Sequence, residues 1–185
     1  MIYIALLRGI NVGGNNKIDM KQLKASFERV GMRDVVTYIN TGNIIFDSDI
    51  PSNSELAAVL EAAILADFGL QIRVVVRSFE EFSRIAEALP HDWSNGPAMK
   101  SDVLFLWEEV DHESSLEQLV IKPEFDRVIY VPGAILWSVD REHVTKSGMQ
   151  KLIGTKLYYK VTVRNVNTTR KIYELMKAAK NINEV

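Results

Sequence analysis

Apolar residues recur at two different periods along residues 1–77, and the order in which those periods alternate leaves few folds open. Ile2–Leu7 is an unbroken apolar run of strand length. Met20, Leu23, Phe27 and Val30 then recur at helical spacing, between Asp19, a capping residue, and Gly31, a helix stop. Val35–Ile39 and Ile44–Phe46 flank N-T-G-N, which reads as a hairpin turn with Gly42 supplying a positive φ. Leu56, Val59, Leu60, Ala63, Ile64 and Phe68 mark a second helix that stops at Gly69, and Ile72–Val76 alternates as a strand. The order is β-α-β-β-α-β, the split βαβ unit of ferredoxin-like domains.

The order then returns. A helix over Phe79–Leu89 carries Phe79, Phe82, Ile85, Ala86 and Leu89 on one face, and Pro90, Gly96 and Pro97 break the pattern after it. Beyond that break come a strand at Val103–Trp107, a helix at Ser114–Ile121 and a strand at Arg127–Val131. A Pro132-Gly133 turn leads to a strand at Ile135–Val139, a helix at Gly148–Tyr158 and a strand at Lys160–Arg164. A last helix shows Ile172, Leu175, Met176 and Ala179 on one side. The expectation is an α+β protein of two tandem ferredoxin-like α/β plaits. The first occupies residues 1–77, a bridging helix and linker 78–100, and the second, with an extra C-terminal helix, 101–185. The topology repeats without an evident repeat of sequence.

Charge and cysteine content remove several function classes. A net charge of −2 and a pI near 6.0 argue against a broadly basic nucleic-acid surface. The absence of cysteine removes disulfides, thiolate catalysis and thiolate metal sites. Arg8 and Gly9 interrupt the apolar start, and no apolar segment has the length of a membrane span. A cytoplasmic protein without a membrane partner is expected.

The loop between the first strand and first helix is the leading candidate for chemistry. Arg8, Asn11, Gly13, Gly14, Asn15, Asn16 and Lys17 fill it, an arrangement that sets backbone N–H groups and a helix N-terminus against an anion. In a plait this loop and the N-T-G-N hairpin share one sheet edge, which adds Thr41, Gly42 and Asn43. The same residues also suit a turn that satisfies only its own backbone, and both readings stand at this point. A second cluster, Thr162–Lys171, holds Arg164, Asn165, Asn167 and Thr168, with Asn167 or Thr168 as the cap of the last helix. Arg170 and Lys171 would occupy its first turn and oppose the helix dipole. An ion pair of Arg164 with Asp140 or Glu142 is the favoured compensation, and an external anion is the rival.

Known catalytic patterns fail on inspection. Gly9 and Gly14 have the spacing of P-loop glycines, but Asn15-Asn16 replaces the lysine and hydroxyl residue. Thr168 with Lys171, and Lys146-Ser147-Gly148, imitate penicillin-recognising motifs in the wrong chain order. His91, His112 and His143 lack metal-ligand spacing, so neither a metal nor a cofactor is expected, and no catalytic residue is assigned. Trp93 reads as a loop aromatic, and Trp107 and Trp137 as core. Two alternatives to small-ligand binding remain. One is a nucleic-acid module using open sheet aromatics such as Tyr3 and Phe46, although N-I-I-F-D-S lacks the usual strand motif. The other is a structural or protein-interaction domain using an open sheet face.

Three segments carry a family resemblance: L-L-R-G-I-N-V-G (Leu6–Gly13), T-Y-I-N-T-G-N-I-I-F (Thr37–Phe46) and T-V-R-N-V-N-T (Thr162–Thr168). With them the chain resembles the bacterial family called domain of unknown function 1697. Thr41 stands where that family often has serine, and Val166 where it often has tryptophan. The resemblance implies two ferredoxin-like domains and no established activity. The functional expectation is therefore a small anionic, phosphorylated or nucleotide-like ligand. Arg8 and Lys17 would neutralise it, Gly13 and Gly14 would admit its approach to the backbone, and Asn11 and Asn43 would orient it.

Overall fold

The computed structural model describes residues 1–183. Two compact units divide the chain: residues 1–82 with the segment from Ile172 onward, and Ser83–Lys171 between them.

The first unit contains β1 (Ile2–Leu7), α1 (Met20–Arg29), β2 (Arg33–Tyr38), β3 (Asn43–Asp47), α2 (Asn53–Phe68) and β4 (Val74–Ser78). Its four strands form an antiparallel sheet in the order β2-β3-β1-β4. β1 is central and buried along its whole length, as its unbroken apolar run requires. Tyr3, Ala5, Leu7, Ile44, Phe46, Val74 and Val76 join Leu23, Phe27, Leu56, Leu60 and Ile64 of the helices in one core. Tyr3 stacks on Phe46 at 5.8 Å, and Phe27 meets Phe46 edge-on at 6.1 Å. Burying rings of this size contributes about 1.5–3 kcal/mol each. Neither Tyr3 nor Phe46 is therefore available as an open stacking platform. Asp19 caps α1 by accepting from the Lys21 and Gln22 N–H groups, and Gly69 ends α2 in the left-handed region at φ +66°. β4 starts two residues later than its sequence pattern predicts; Ile72 is buried in the core ahead of it, and the Arg73 carbonyl accepts from Arg8 N–H just past the end of β1.

The second unit contains β5 (Met99–Leu106), β6 (Arg127–Val131), β7 (Ala134–Asp140) and β8 (Val161–Asn165), again antiparallel and in the corresponding order β6-β7-β5-β8. Between β4 and β5 runs α3 (Phe79–Ala88), and β8 passes into α4 (Val166–Asn183). The helices expected at Ser114–Ile121 and Gly148–Tyr158 are instead 3-10 segments at Glu113–Gln118, Gly148–Gly154 and Lys156–Lys160. Side-chain oxygens break the longer helix into pieces: Ser147 accepts from Met149 N–H and Thr155 from Tyr158 N–H, each starting a new short turn.

Asp126 holds these pieces together. Its buried carboxylate accepts from the backbone N–H of Lys122 at 2.8 Å and of Gly148 at 2.9 Å, and from the Ser147 hydroxyl. The buried Trp137 indole N–H has no hydrogen bond of ordinary geometry, yet it adds to the hold on this carboxylate. Burial pushes the Asp126 pKa up, but the bonds from Ser147, Lys122 and Gly148 outweigh it and bring the value below the usual aspartate range. A Cβ on Gly148 would lie 1.5 Å from the Val120 carbonyl oxygen, so only glycine fits there.

The two units repeat each other at two junctions. At the end of the first strand, Leu7 N–H donates to Gly42 O and Arg8 N–H to Arg73 O; in the second unit Leu106 N–H donates to Gly133 O and Trp107 N–H to Lys160 O. Gly42 and Gly133 both have positive φ, +88° and +95°. At the end of the last strand, V-V-V-R-S in β4 matches V-T-V-R-N in β8. Arg77 and Arg164 each donate from Nη1 to the carbonyl of the preceding valine at 2.9 Å. Ser78 Oγ then accepts from Glu81 N–H, and Asn165 Oδ1 from Thr168 N–H, so one strand-to-helix junction occurs twice. A short sequence repeat does accompany the repeat of topology.

Candidate functional site

In the first unit the chain leaves β1 through the clamp at Leu7 and Arg8 and enters a loop that is itself a small hairpin. Gly13 at φ +58° and Gly14 at +79° form its two-residue turn, closed by Asn15 N–H on Val12 O at 3.0 Å. Asn16 Nδ2 donates to Gly9 O at 2.9 Å. Asn11, at φ +53°, ties the loop down: Nδ2 donates to Ile18 O at 3.0 Å and to Asn40 O at 2.7 Å, while Oδ1 accepts from Ile18 N–H at 2.9 Å. The Asn40 bond joins the loop to the β2–β3 hairpin. Gly42 allows that hairpin to close in, since a Cβ there would lie 2.7 Å from Leu7 Cβ and 2.9 Å from Ile10 Cδ1.

The loop and hairpin leave a shallow depression of about 380 Å³ lined by Asn11, Gly14, Lys17, Ile18, Asp19 and Asn40. Arg8 and Thr41–Asn43 are not among its walls. Asn43 is fully buried and donates to Tyr38 O at 2.9 Å and Thr41 Oγ1 at 3.2 Å, so its amide braces the hairpin. The α1 N-terminus is likewise occupied, because the Asp19 carboxylate takes the Lys21 and Gln22 N–H groups. Contrary to expectation, that helix end is therefore not open to an external anion.

The C-terminal cluster of the second unit is mainly a fastening. Asn165 caps α4, in place of the expected Asn167 or Thr168. Asn167 is paired with the backbone of Asn95, donating to its carbonyl at 2.8 Å and accepting from its N–H at 3.3 Å. Since α4 begins at Val166, Arg170 lies beyond the first turn, and it donates to the carbonyls of Trp93 at 2.5 Å and Pro90 at 2.9 Å. Its charge is used on loop carbonyls, which removes the conflict with the helix dipole. Arg164 is buried and donates to Thr162 Oγ1 at 3.1 Å; burial pushes its pKa down to about 10, which leaves it cationic at neutral pH.

The expected ion pair of Arg164 with Asp140 has no geometric basis. Arg164 is opposite Val103 and Asp140 opposite Met99, on strands that flank β5 from opposite sides. Four residues along β5 alone separate them by roughly 13 Å. Asp140 pairs with Arg127 at 3.1 Å, and Glu142 lies 3.8 Å from His143. Asp140, Glu142 and His143 offer ligand atoms within 4.8 Å of one another, the geometry of a cation site. Arg127 already answers the Asp140 charge there, and the His143 ring packs on Phe125 at 4.9 Å.

A second concavity of about 520 Å³ lies in the second unit, lined by Glu109, Val110, His112, Gln118, Gly154, Thr155, Lys156, Tyr159 and Lys160. Sequence reasoning assigns no site role to any of these. The visible signal is the spacing of Lys156, Tyr159 and Lys160, which passes in the sequence for part of an ordinary helix and strand. Among the described residues no helix is long and apolar enough to cross a membrane.

The model of a family described as protein of unknown function (DUF1697) matches residues 1–137, which takes in the first two resemblance segments and stops short of Thr162–Thr168. The chain is also similar to a solved structure described as that of the conserved bacterial protein SP0830 from Streptococcus pneumoniae. The two are 32% identical, with a TM-score of 0.81 over 95% of this chain and 98% of that one. No curated protein matches the chain.

Proposed function

The chain belongs to the DUF1697 family, and from that premise we propose that the exit edge of β1 binds a small anionic ligand of phosphorylated or nucleotide-like chemistry. The observation that carries the reading is the preformed loop. Asn11 bonds it at three points to Ile18 and Asn40, so Gly14 and Lys17 are held on the wall of a depression before any ligand arrives. Lys17 supplies charge from that wall and Arg8 from the strand exit. Gly13 and Gly14 leave the backbone unobstructed, since a Cβ at either position would meet nothing within 4 Å. Arg164, Asn165, Asn167 and Thr168 belong to the second unit, where most of their polar groups are spent on the fold. The sheet orders β2-β3-β1-β4 and β6-β7-β5-β8 support reading each unit as a ferredoxin-like plait. The nucleic-acid alternative is disfavoured because Tyr3 and Phe46 are in the core.

Thermal-shift and calorimetric titration with inorganic phosphate, nucleoside mono- and triphosphates and small carboxylates tests the proposal. A stabilising ligand whose effect is lost in Arg8→Ala and Lys17→Ala, with the melting temperature of the free protein unchanged, supports it. No shift with any of these anions, or unfolding of Arg8→Ala without ligand dependence, makes Arg8 structural and ends the reading.

A further inference from the structure

The concavity of the second unit sits where the chain leaves its first strand, the same place in the topology as the loop site of the first unit. Trp107 N–H on Lys160 O corresponds to Arg8 N–H on Arg73 O, and Leu106 N–H on Gly133 O to Leu7 N–H on Gly42 O. The pairing of Leu106 with Val161 brings the chain leaving β5 alongside the chain entering β8. Those two stretches form the walls: Glu109, Val110, His112 and Gln118 on one, Gly154–Lys156, Tyr159 and Lys160 on the other.

We propose that this groove is a second ligand site, one that takes a free nucleoside monophosphate or a planar aromatic phosphate of that size. Its volume of about 520 Å³ is that of a small-molecule site. Tyr159 is 64% exposed on the rim; its ring meets Tyr158 edge to face at 5.4 Å, and its exposed part offers an aromatic surface for a base to stack on. Lys156 and Lys160 stand on either side of it in sequence and line the same groove, which gives the phosphate two cations. Across the groove Glu109 and Gln118 supply an acceptor and an amide for the polar edge of a base or sugar. Two positive side chains against one carboxylate leave the lining net positive. The proposal stands independently of the loop site, because it rests on residues of the other unit.

The test is a heteronuclear NMR titration of the full chain with adenosine monophosphate, adenosine and inorganic phosphate in parallel. The expected result is movement of the Gln118 and Lys156–Lys160 amide signals with the monophosphate, and markedly weaker responses to adenosine and phosphate alone. K156A/K160A should weaken the monophosphate by at least about tenfold, and Y159L should weaken it several-fold. All three residues are exposed, so signals outside the groove should stay in place. Unmoved groove signals, or an unchanged affinity in the double-lysine variant, overturn the proposal. So does tighter binding of a single-stranded oligonucleotide, which would make the groove part of a nucleic-acid track. The Gly13 and Gly14 signals report the loop site in the same spectra, so failure of one reading is distinguishable from failure of the other.

Discussion

Replacing Asp126 with alanine deprives three donors of their acceptor at once: the N–H groups of Lys122 and Gly148 and the Ser147 hydroxyl. The residue is only 6% exposed, so water does not easily take its place. A hydrogen bond to a charged group contributes about 1.5–3 kcal/mol, and such losses within one network do not add fully. A cost of about 3–5 kcal/mol follows for Asp126→Ala, near the top of the range for single substitutions. For a chain of this size that lowers the melting temperature by roughly 10 °C. Circular dichroism melting and urea titration both read it. Asp126→Asn keeps one acceptor oxygen but turns an amide toward donors, so it should fall between the wild type and the alanine variant. The pH dependence gives an independent sign. Because the folded pKa lies below the unfolded one, the stabilisation by Asp126 is complete above the ordinary aspartate value of about 3.9 and is lost as pH falls through the folded pKa. The gap between wild type and Asp126→Ala should narrow on acidification over that window. A change in unfolding free energy for Asp126→Ala inside the roughly ±0.5 kcal/mol band of ordinary surface substitutions would refute the assignment of Asp126 as the organising group of the 3-10 layer.

Gly42→Ala places a methyl 2.7 Å from Leu7 Cβ at φ +88°, and should destabilise by about 2 kcal/mol or more in urea titration. Asn11→Ala should cost about 1–3 kcal/mol and, in hydrogen exchange, speed the amides of residues 11–18 while leaving those of α2 protected. Arg170→Met uncouples α4 from the carbonyls of Pro90 and Trp93, and limited proteolysis should then cut within residues 90–97 before any other site.

The parts of this fold that were legible in the sequence are those decided locally. The apolar run at Ile2–Leu7 could only be a buried strand, Arg127–Val131 matched its strand end to end, and Asp19 and Gly69 did the capping their types suggest. The 3-10 layer was not legible, because it depends on contacts distant in the chain. Nothing near Gly148 in sequence shows that the Val120 carbonyl will press on it, and nothing near Asp126 marks it as the acceptor for Ser147. The candidate site suffered from a different ambiguity. An asparagine facing a ligand and one bonded to backbone look alike in a sequence, and Asn43, Asn165 and Asn167 proved to be of the second kind. Ile39 is a further case: a β-branched, 47% exposed residue at φ +49° goes against local preference, in the turn that joins β2 to β3. The V-x-V-R repeat was present in the letters, but its meaning depended on the register that places Arg77 opposite Ile4 and Arg164 opposite Val103.

That paired junction gives the molecule an internal standard. Arg77→Met and Arg164→Met delete the same donor, at the same strand position, from the same kind of carbonyl, within a single polypeptide. Solvent conditions and the shared valine carbonyl cancel in the comparison. What remains is the difference between a half-covered guanidinium beside Glu81 and one closed off from water that also holds the Thr162 hydroxyl. The ratio of the two effects therefore compares two settings of one junction within this protein, without reference to any other.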